Sequence, residues 1–164
     1  MITPEYCVTM ARYNQWQNNS LIGHVEAMSE EDLRQDRGAF FGSILATLDH
    51  IVWADKLWLN RLDPSIPVRA EASEGIMSPA EWLAARPALD LQIIEWADRQ
   101  TNEDMLGAVA WRSVILAKDF NNPRGLAITH MFNHQTHHRG QVHAMLTAIG
   151  RKTMDTDIVF MPET

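Results

Sequence analysis

The chain has 164 residues, of which 46% are hydrophobic and 21% charged, so it can bury the core of one domain over residues 1–164 and is not intrinsically disordered. A formal net charge of −7 without a basic run argues against nucleic acid or an anionic membrane surface as a partner. The single cysteine, Cys7, excludes an intramolecular disulfide. We find no signal peptide and no apolar run long enough to span a membrane, and therefore expect a soluble cytoplasmic protein.

The first part of the chain predicts two long helices. Thr3 and Pro4 suit an N-cap and the first helical position, so the first helix is expected from Pro4 to about Met28. A short helical turn follows at residues 29–32. The second helix is predicted over residues 43–62, where no glycine or proline interrupts the helix after its start.

A long connection separates this helix from the third. Residues 63–78 contain two prolines and a glycine and show no sustained period. Ser78 and Glu81 then form a capping box, which predicts a third helix that extends to about Asn102. Pro87 lies inside this helix, and we expect a kink there.

The last part of the chain predicts a hairpin and a fourth helix. Residues 106–120 are rich in β-branched and aromatic side chains, which favours a short hairpin or an extended segment. The fourth helix is expected to begin at residues 122–123 and to end at Gly150, a suitable C′ glycine. The tail, 151–164, is expected to be irregular, with the apolar cluster 158–160 packed against the helices.

Four long helices predict an all-α fold, a four-helix bundle. The connection at residues 63–78 is long for an antiparallel pair of helices, so it can carry the chain from one end of the bundle to the other. The second and third helices would then run parallel. The expected order is up-down-down-up, with the long crossover between helices two and three.

The run "HMFNHQTHHRGQVH", residues 130–143, holds five of the seven histidines. At about 100° per residue, His134 and His138 fall inside the apolar stripe of the fourth helix. Two imidazoles one turn apart can present two nitrogens to one metal. Burying both without partners would cost about 1–3 kcal/mol each, so a metal or a set of hydrogen bonds must satisfy them.

His50 is the candidate for a third ligand. It faces inward on the second helix, and its depth in an up-down-down-up bundle matches that of His134 and His138. The three residues are therefore predicted to bind one divalent transition metal, and three imidazoles suit Zn, Ni, Fe and Co. The alternative is a set of hydrogen-bonded core histidines.

The remaining histidines receive other interpretations. His24 and His143 are expected at the surface. His137 is expected to line the cleft or to support a ligand. His130 could be a fourth ligand, although a place in the cleft wall is favoured.

Four stretches, in order along the chain, resemble the DinB-like (DinB/YfiT) superfamily of helical-bundle metal proteins. "ARYNQWQNNSL" is similar to the family's first helix, "FFGSILATLDHIVWADKLWLNRL" to its second helix, and "DIVFMPE" to its tail. "HMFNHQTHHRGQVHAML" is similar to its last helix, and HxxxHRGQ is the specific part of the match. The resemblance covers nearly the whole chain. The family is unrelated to the translesion DNA polymerase that shares its name.

The resemblance implies a four-helix bundle in which His50, His134 and His138 bind a metal, often Zn or Ni. Family members often form dimers. Characterised relatives include thiol-dependent S-transferases and a mycothiol-dependent maleylpyruvate isomerase. Many relatives have no known reaction, so the family alone leaves the activity open.

A three-histidine site leaves a coordination position for water or substrate, which gives two enzymatic hypotheses. The metal generates a thiolate from a small thiol in the first and hydroxide for hydrolysis in the second. A HExxH metalloprotease is excluded, because the spacer reads Gln-Thr-His at residues 135–137. Gln141 lies near the ligand face, where it could hydrogen-bond a ligand or substrate or simply pack. Arg139 points away from that face, and a structural pairing is expected for it. The competing class is a non-catalytic metal-containing stress-response or binding module, and no catalytic residue is assigned.

Two further expectations concern a partner subunit and the source of a reacting thiol. Four tryptophans lie on the second and third helices: Trp53, Trp58, Trp82 and Trp96. A core that cannot hold every one of these rings would leave an aromatic face on the surface, and such a face predicts a homodimer. Cys7 is expected neither to complete the metal site nor to act as a nucleophile. A reacting sulfur would then belong to a bound low-molecular-weight thiol, the small-molecule partner that we expect.

Overall fold

The computed structural model describes residues 2–66, 75–113 and 116–163, and it is mostly helical with a small antiparallel sheet. The middle of the predicted connection, residues 67–74, lies outside the described residues. A mainly helical fold is therefore confirmed. The helices and strands are α1 (Pro4–Glu26), α2 (Glu30–Arg34), α3 (Ile44–Leu62), α4 (Pro79–Asp98), β1 (Ala108–Ser113), β2 (Lys118–Pro123) and α5 (Arg124–Ala148).

The capping box at the start of α4 is present as predicted. The backbone amide of Glu81 donates to Oγ of Ser78 (3.3 Å), and the amide of Ser78 donates to the Glu81 carboxylate (2.7 Å). The helix ends at Asp98, four residues before the predicted end. The reason is local, because Thr101 and Asp104 exchange the hydrogen bonds of a new cap. The helix continues through Pro87.

Gly150 ends α5 as expected. Its φ of +78° lies in the left-handed region, which a glycine adopts without a steric penalty. The amide of Gly150 donates to the Thr147 carbonyl, and the amide of Arg151 donates to the Leu146 carbonyl, each at 3.0 Å. These two bonds form a Schellman motif, which satisfies carbonyls that the helix end would leave without partners.

The core lies between two helix pairs, α1 with α4 and α3 with α5. Trp82 and Trp96 are both fully buried in it, and Trp58 is buried as well. Trp53 remains 38% exposed, so the core does not hold every one of the four rings. The other large residues with no exposed surface are Leu33, Leu45, Leu59, Ile93, Ile128, Phe132 and Leu146.

A buried polar network crosses the centre of this core. Arg86 bridges two buried carboxylates, Asp55 at 2.7 Å and Asp90 at 2.9 Å. Gln135 donates to Asp55 (2.9 Å), and Asn14 donates to Asp90 (2.9 Å). The network thus joins all four long helices, and its directional bonds restrict how they can slide.

The predicted hairpin is confirmed, and it extends further than residue 120. Ala108 pairs with Pro123 and Trp111 pairs with Phe120. The hairpin therefore uses the residues that were expected to start the fourth helix, which begins at Arg124 instead. Residues 114–115 lie outside the described part of the chain.

The tail differs from the prediction. Ile158, Val159 and Phe160 form a short 3₁₀ turn and are 41%, 80% and 60% exposed, so they do not pack against the helices. The tail is held by polar contacts instead, because the hydroxyl of Tyr13 donates to the backbone carbonyl of Thr156 (2.6 Å). Within the described residues, no helix has the length and apolar character that crossing a membrane requires.

Candidate metal centre

The structure brings His50, His134 and His138 together. His50 lies two turns into α3, and the other two lie one turn apart on the side of α5 that packs against it. One ring nitrogen of each residue lies within 4.8 Å of the others. The ring centroids are separated by 4.4 to 5.0 Å.

The donor set fits a transition metal. Nε2 of His50 and Nε2 of His134 are 3.1 Å apart. Two nitrogens that bind zinc at about 2.0–2.1 Å in a tetrahedral site lie roughly 3.3 Å apart. Nδ1 of His134 is buried, without a hydrogen-bond partner among the described residues. Nε2, the other nitrogen of this ring, faces His50 and is the one that would bind a metal.

The environment keeps these imidazoles neutral. Burial, assisted by the charge of His138, lowers the pKa of His50 from 6.5 to about 4. Burial and the neighbouring histidines lower the pKa of His134 to about 3. Burial also lowers the pKa of His138. Neutral imidazoles keep their lone pairs, so a metal need not displace a proton at neutral pH.

Gln141 orients one of the three rings. Its side-chain oxygen lies 2.9 Å from Nδ1 of His138, and its amide nitrogen lies 3.2 Å from Nε2 of His137. Because the oxygen can only accept, Nδ1 of His138 must carry the proton, and Nε2 is left for a metal. Gln141 therefore contacts both His138 and His137. This agrees with two roles considered from the sequence, a hydrogen bond from Gln141 and a supporting position for His137.

Phe41 forms an apolar wall that the sequence interpretation missed. Its ring stacks on His50 with centroids 3.9 Å apart, and it lies 5.3 Å from the ring of His138. Gly42, at φ +78°, and the N-cap Ser43 form the turn that places Phe41 there. In the sequence, the available signal for this wall was the pair Phe40 and Phe41, just before the N-cap Ser43. The desolvation by Phe41 contributes to the low pKa values.

His130 lies outside the group of three. Its ring lies 5.6 Å from that of His134 and 4.6 Å from that of Trp58. Trp58 in turn contacts Trp111 of the hairpin at 5.2 Å. The aromatic side chains therefore continue from the histidines of α5 across α3 towards the sheet.

His24 and His143 differ from the expected surface residues. Both are half-buried and line a cavity of about 170 Å³ between α1, α5 and the tail. Nε2 of His143 lies 2.6 Å from the hydroxyl of Thr153. Arg139 lines the same cavity and donates to the buried Asn14, so its expected structural role has a neutral partner rather than an acid.

Cys7 stands apart from the histidine group, as expected. It is fully buried on α1, and its sulfur lies 3.9 Å from that of Met105. Burial raises the pKa of its thiol to about 11. A thiol in this state is a poor nucleophile and a poor metal ligand at neutral pH.

The fold and the site together define a helical protein with a partly buried three-histidine cluster that could bind a metal ion. The profile of the DinB family matches residues 1–164, and the chain belongs to this family. The crystal structure of a DinB-like protein from Bacillus cereus ATCC 10987 is similar in fold, with a TM-score of 0.71 and 17% sequence identity. That similarity covers 93% of this chain and 97% of the other. No curated protein matches the chain.

Proposed function

We propose that His50, His134 and His138 bind one divalent transition ion, Zn or Ni, and that the protein is a metal-dependent enzyme. One observation carries the proposal: three neutral imidazoles converge. No Asp, Glu, Cys or further His among the described residues joins their group. Three protein ligands are the usual set of a catalytic zinc, whereas structural zinc sites usually have four.

We propose a small thiol as the group that is activated, with water as the second candidate. A bound metal supplies the positive charge that ionises a thiol or lowers the pKa of water. A coordinating thiol would be deprotonated outright, whereas a metal-bound water keeps a pKa near 7, so the thiol is the first candidate. Phe41 covers one side of the three histidines and would exclude water there. Gln141 fixes the orientation of His138.

Conjugation of a thiol to monochlorobimane tests this function. The thiolate sulfur forms a bond to the carbon that carries chlorine, chloride leaves, and the thiol proton passes to solvent. We expect a metal-dependent rate for at least one thiol of a broad panel, lost on chelation and in His138→Ala. A panel without any metal-dependent rate would contradict the thiol hypothesis.

The alternative function is that of a non-catalytic metal module. The three histidines join α3 to α5, so a metal would brace the two helices. This role predicts a metal-dependent melting temperature without a metal-dependent reaction, and a fourth protein ligand on the metal. A structure of the metal-loaded protein separates the two functions.

We also propose the up-down-down-up order of the four long helices. Contacts between helix ends support it. Arg124, at the start of α5, donates to the carbonyl of Leu62 at the end of α3 (2.8 Å). The amide of Met77, just before α4, donates to Asp49 near the start of α3 (3.2 Å). Arg151, just after α5, donates to the carbonyl of Ala27 at the end of α1 (3.3 Å).

We further propose a homodimer. Exposed apolar side chains support it, since Phe40 is 82% exposed and Trp53 is exposed one turn from His50. An isologous contact of such a surface would bury both rings. Sedimentation at micromolar concentration is expected to give twice the chain mass. A monomer under these conditions would remove the proposal.

A further inference from the structure

We propose that Arg61 binds a carboxylate of the substrate, at the far end of an aromatic row that begins at the three histidines. One end of an elongated substrate would then meet the metal, and its acidic group would meet the guanidinium. This inference rests on the proposed function, because it concerns the substrate of that site. Either the thiol or its electrophile can carry the carboxylate.

The row is continuous from α5 across α3 to the hairpin. His134 contacts His130, His130 contacts Trp58, and Trp58 contacts Trp111, with centroid distances of 5.6, 4.6 and 5.2 Å. Phe120 stacks on Trp111 at 4.7 Å with an interplanar angle of 14°. Aromatic faces of this kind bind the apolar or planar part of a ligand and leave its polar ends to other groups.

Arg61 lies against this row. Its guanidinium carbon is 4.6 Å from the ring centroid of Trp58 and 4.3 Å from that of Trp111. Both distances are those of cation–π contacts. The two rings cover the guanidinium, and a planar guanidinium that is stacked in this way still has N–H donors along its edge.

Among the described residues, those donors are almost unused. The Arg61 side chain donates a long hydrogen bond to the backbone carbonyl of Arg112 at 3.4 Å. Within residues 2–66, 75–113 and 116–163, no carboxylate pairs with Arg61, whereas Arg112 pairs with Asp119 at 2.9 Å. Burial lowers the pKa of Arg61, and a neighbouring carboxylate would raise it. A half-buried cation that no carboxylate of the described residues pairs with is the feature that calls for a ligand.

The spacing defines the shape of that ligand. Arg61 follows His50 by eleven residues on one helix, about 16 Å between the Cα atoms. Long side chains on a helix lean towards its N-terminus, so the guanidinium comes to within about 10 Å of the histidines. The guanidinium fork matches a carboxylate with two parallel hydrogen bonds. If Arg61 only fastened the hairpin to α3, its contacts with the two tryptophan rings would be explained, but the unused N–H donors of its guanidinium would not.

Binding of two matched probes tests the proposal. ¹⁹F NMR titrations with 4-fluorobenzoate and with the neutral 4-fluorobenzamide are carried out on the metal-loaded and on the chelator-treated protein. We expect the carboxylate to bind at least about tenfold more tightly than the amide in both preparations. Arg61→Gln should remove that preference, and Arg61→Lys should keep a part of it. Arg112→Gln, the matched control from the hairpin, should keep all of it.

Several outcomes would overturn the assignment. These are equal affinities of the two probes for the natural protein, a preference retained in Arg61→Gln, and a loss of equal size in Arg112→Gln. A preference that disappears on chelation would place the carboxylate on the metal and also overturn it. The melting temperature of each variant is measured. If Arg61→Gln unfolds, the Arg61→Lys variant is used instead: a reduced preference for the carboxylate supports the assignment, and an unchanged preference contradicts it. A preference that depends on Arg61 in a protein without thiol-conjugating activity would refute the proposed function alone.

Discussion

The side-chain oxygen of Gln141 lies 2.9 Å from Nδ1 of His138, one turn of α5 away. This hydrogen bond fixes both the tautomer and the rotation of the ring. Groups that hold a metal-binding imidazole in this way typically change metal affinity by about 10–100-fold when they are removed. The candidate site therefore extends beyond its three histidines to at least one residue that would not itself bind the metal.

Replacing Gln141 should weaken metal binding without unfolding the protein. For Gln141→Leu, we expect a loss of roughly 10–100-fold in affinity for Zn²⁺, measured by competition with a chromogenic chelator. Gln141→Glu retains an acceptor and should retain most of the affinity. Equal affinities of the natural protein and Gln141→Leu would show that the contact does not orient the ligand.

Alanine at His50, His134 or His138 should each reduce the bound metal strongly. The reason is that two imidazoles hold a divalent ion much less well than three. Metal analysis of the purified variants measures the effect. His143→Ala is the control and should keep its metal, because this residue contacts Thr153 instead. Undiminished metal in all three variants would exclude the proposed site.

The metal-free protein should lose stability as the pH falls from about 6.5 to about 4. The pKa of His50 falls from 6.5 to about 4 and that of His134 to about 3. In this window the unfolded chain binds protons that the folded chain does not, so protonation favours unfolding. Urea unfolding at several pH values gives the slope. His134→Gln should show a smaller slope, and an unchanged slope would contradict the assignment.

Asp55→Ala should be strongly destabilising. Removal of this carboxylate leaves Gln135 without its buried acceptor and takes from Arg86 one of its two buried carboxylates, at a cost of about 3–5 kcal/mol. Asp119→Ala breaks an exposed ion pair with Arg112 and should cost less than about 1 kcal/mol. Chemical denaturation of both variants measures the difference. Similar small losses would mean that the network adds little to stability.

Cys7 should be inert in the folded protein. Its thiol is buried and its pKa is raised to about 11, so very little thiolate exists at pH 8. Reaction with Ellman's reagent should be slow in buffer and complete in denaturant. Rapid labelling of the native protein would mean that Cys7 can compete with a small thiol for an electrophile.

The helices could be predicted because their signals are local. Ser43, Ser78 and Gly150 mark helix ends through contacts within a few residues, and the structure has all three. The convergence of the three histidines also followed from the helical period combined with one topology. Both kinds of inference need only spacing along the chain.

What could not be predicted depends on contacts between distant segments. The tail is held by the hydroxyl of Tyr13 rather than by its own apolar residues, and no local pattern specifies this. The stacking of Phe41 on His50 requires the turn at Gly42 in three dimensions. The partners of Arg86 lie one turn along its own helix and on a different helix, and only the first could be found by spacing.

The bond between Gln135 and Asp55 lies one residue from His134 on α5 and five from His50 on α3. A slide of one helix past the other by a turn, about 5.4 Å, would break this bond and separate the two imidazoles. The helices are thus held in register by the protein itself before any ion arrives. Metal uptake should then be a local event in a folded chain, unlike that of a zinc finger, whose folding depends on its ion. In such a scaffold, replacing one ion by another would change the chemistry of the site but not the architecture of the protein.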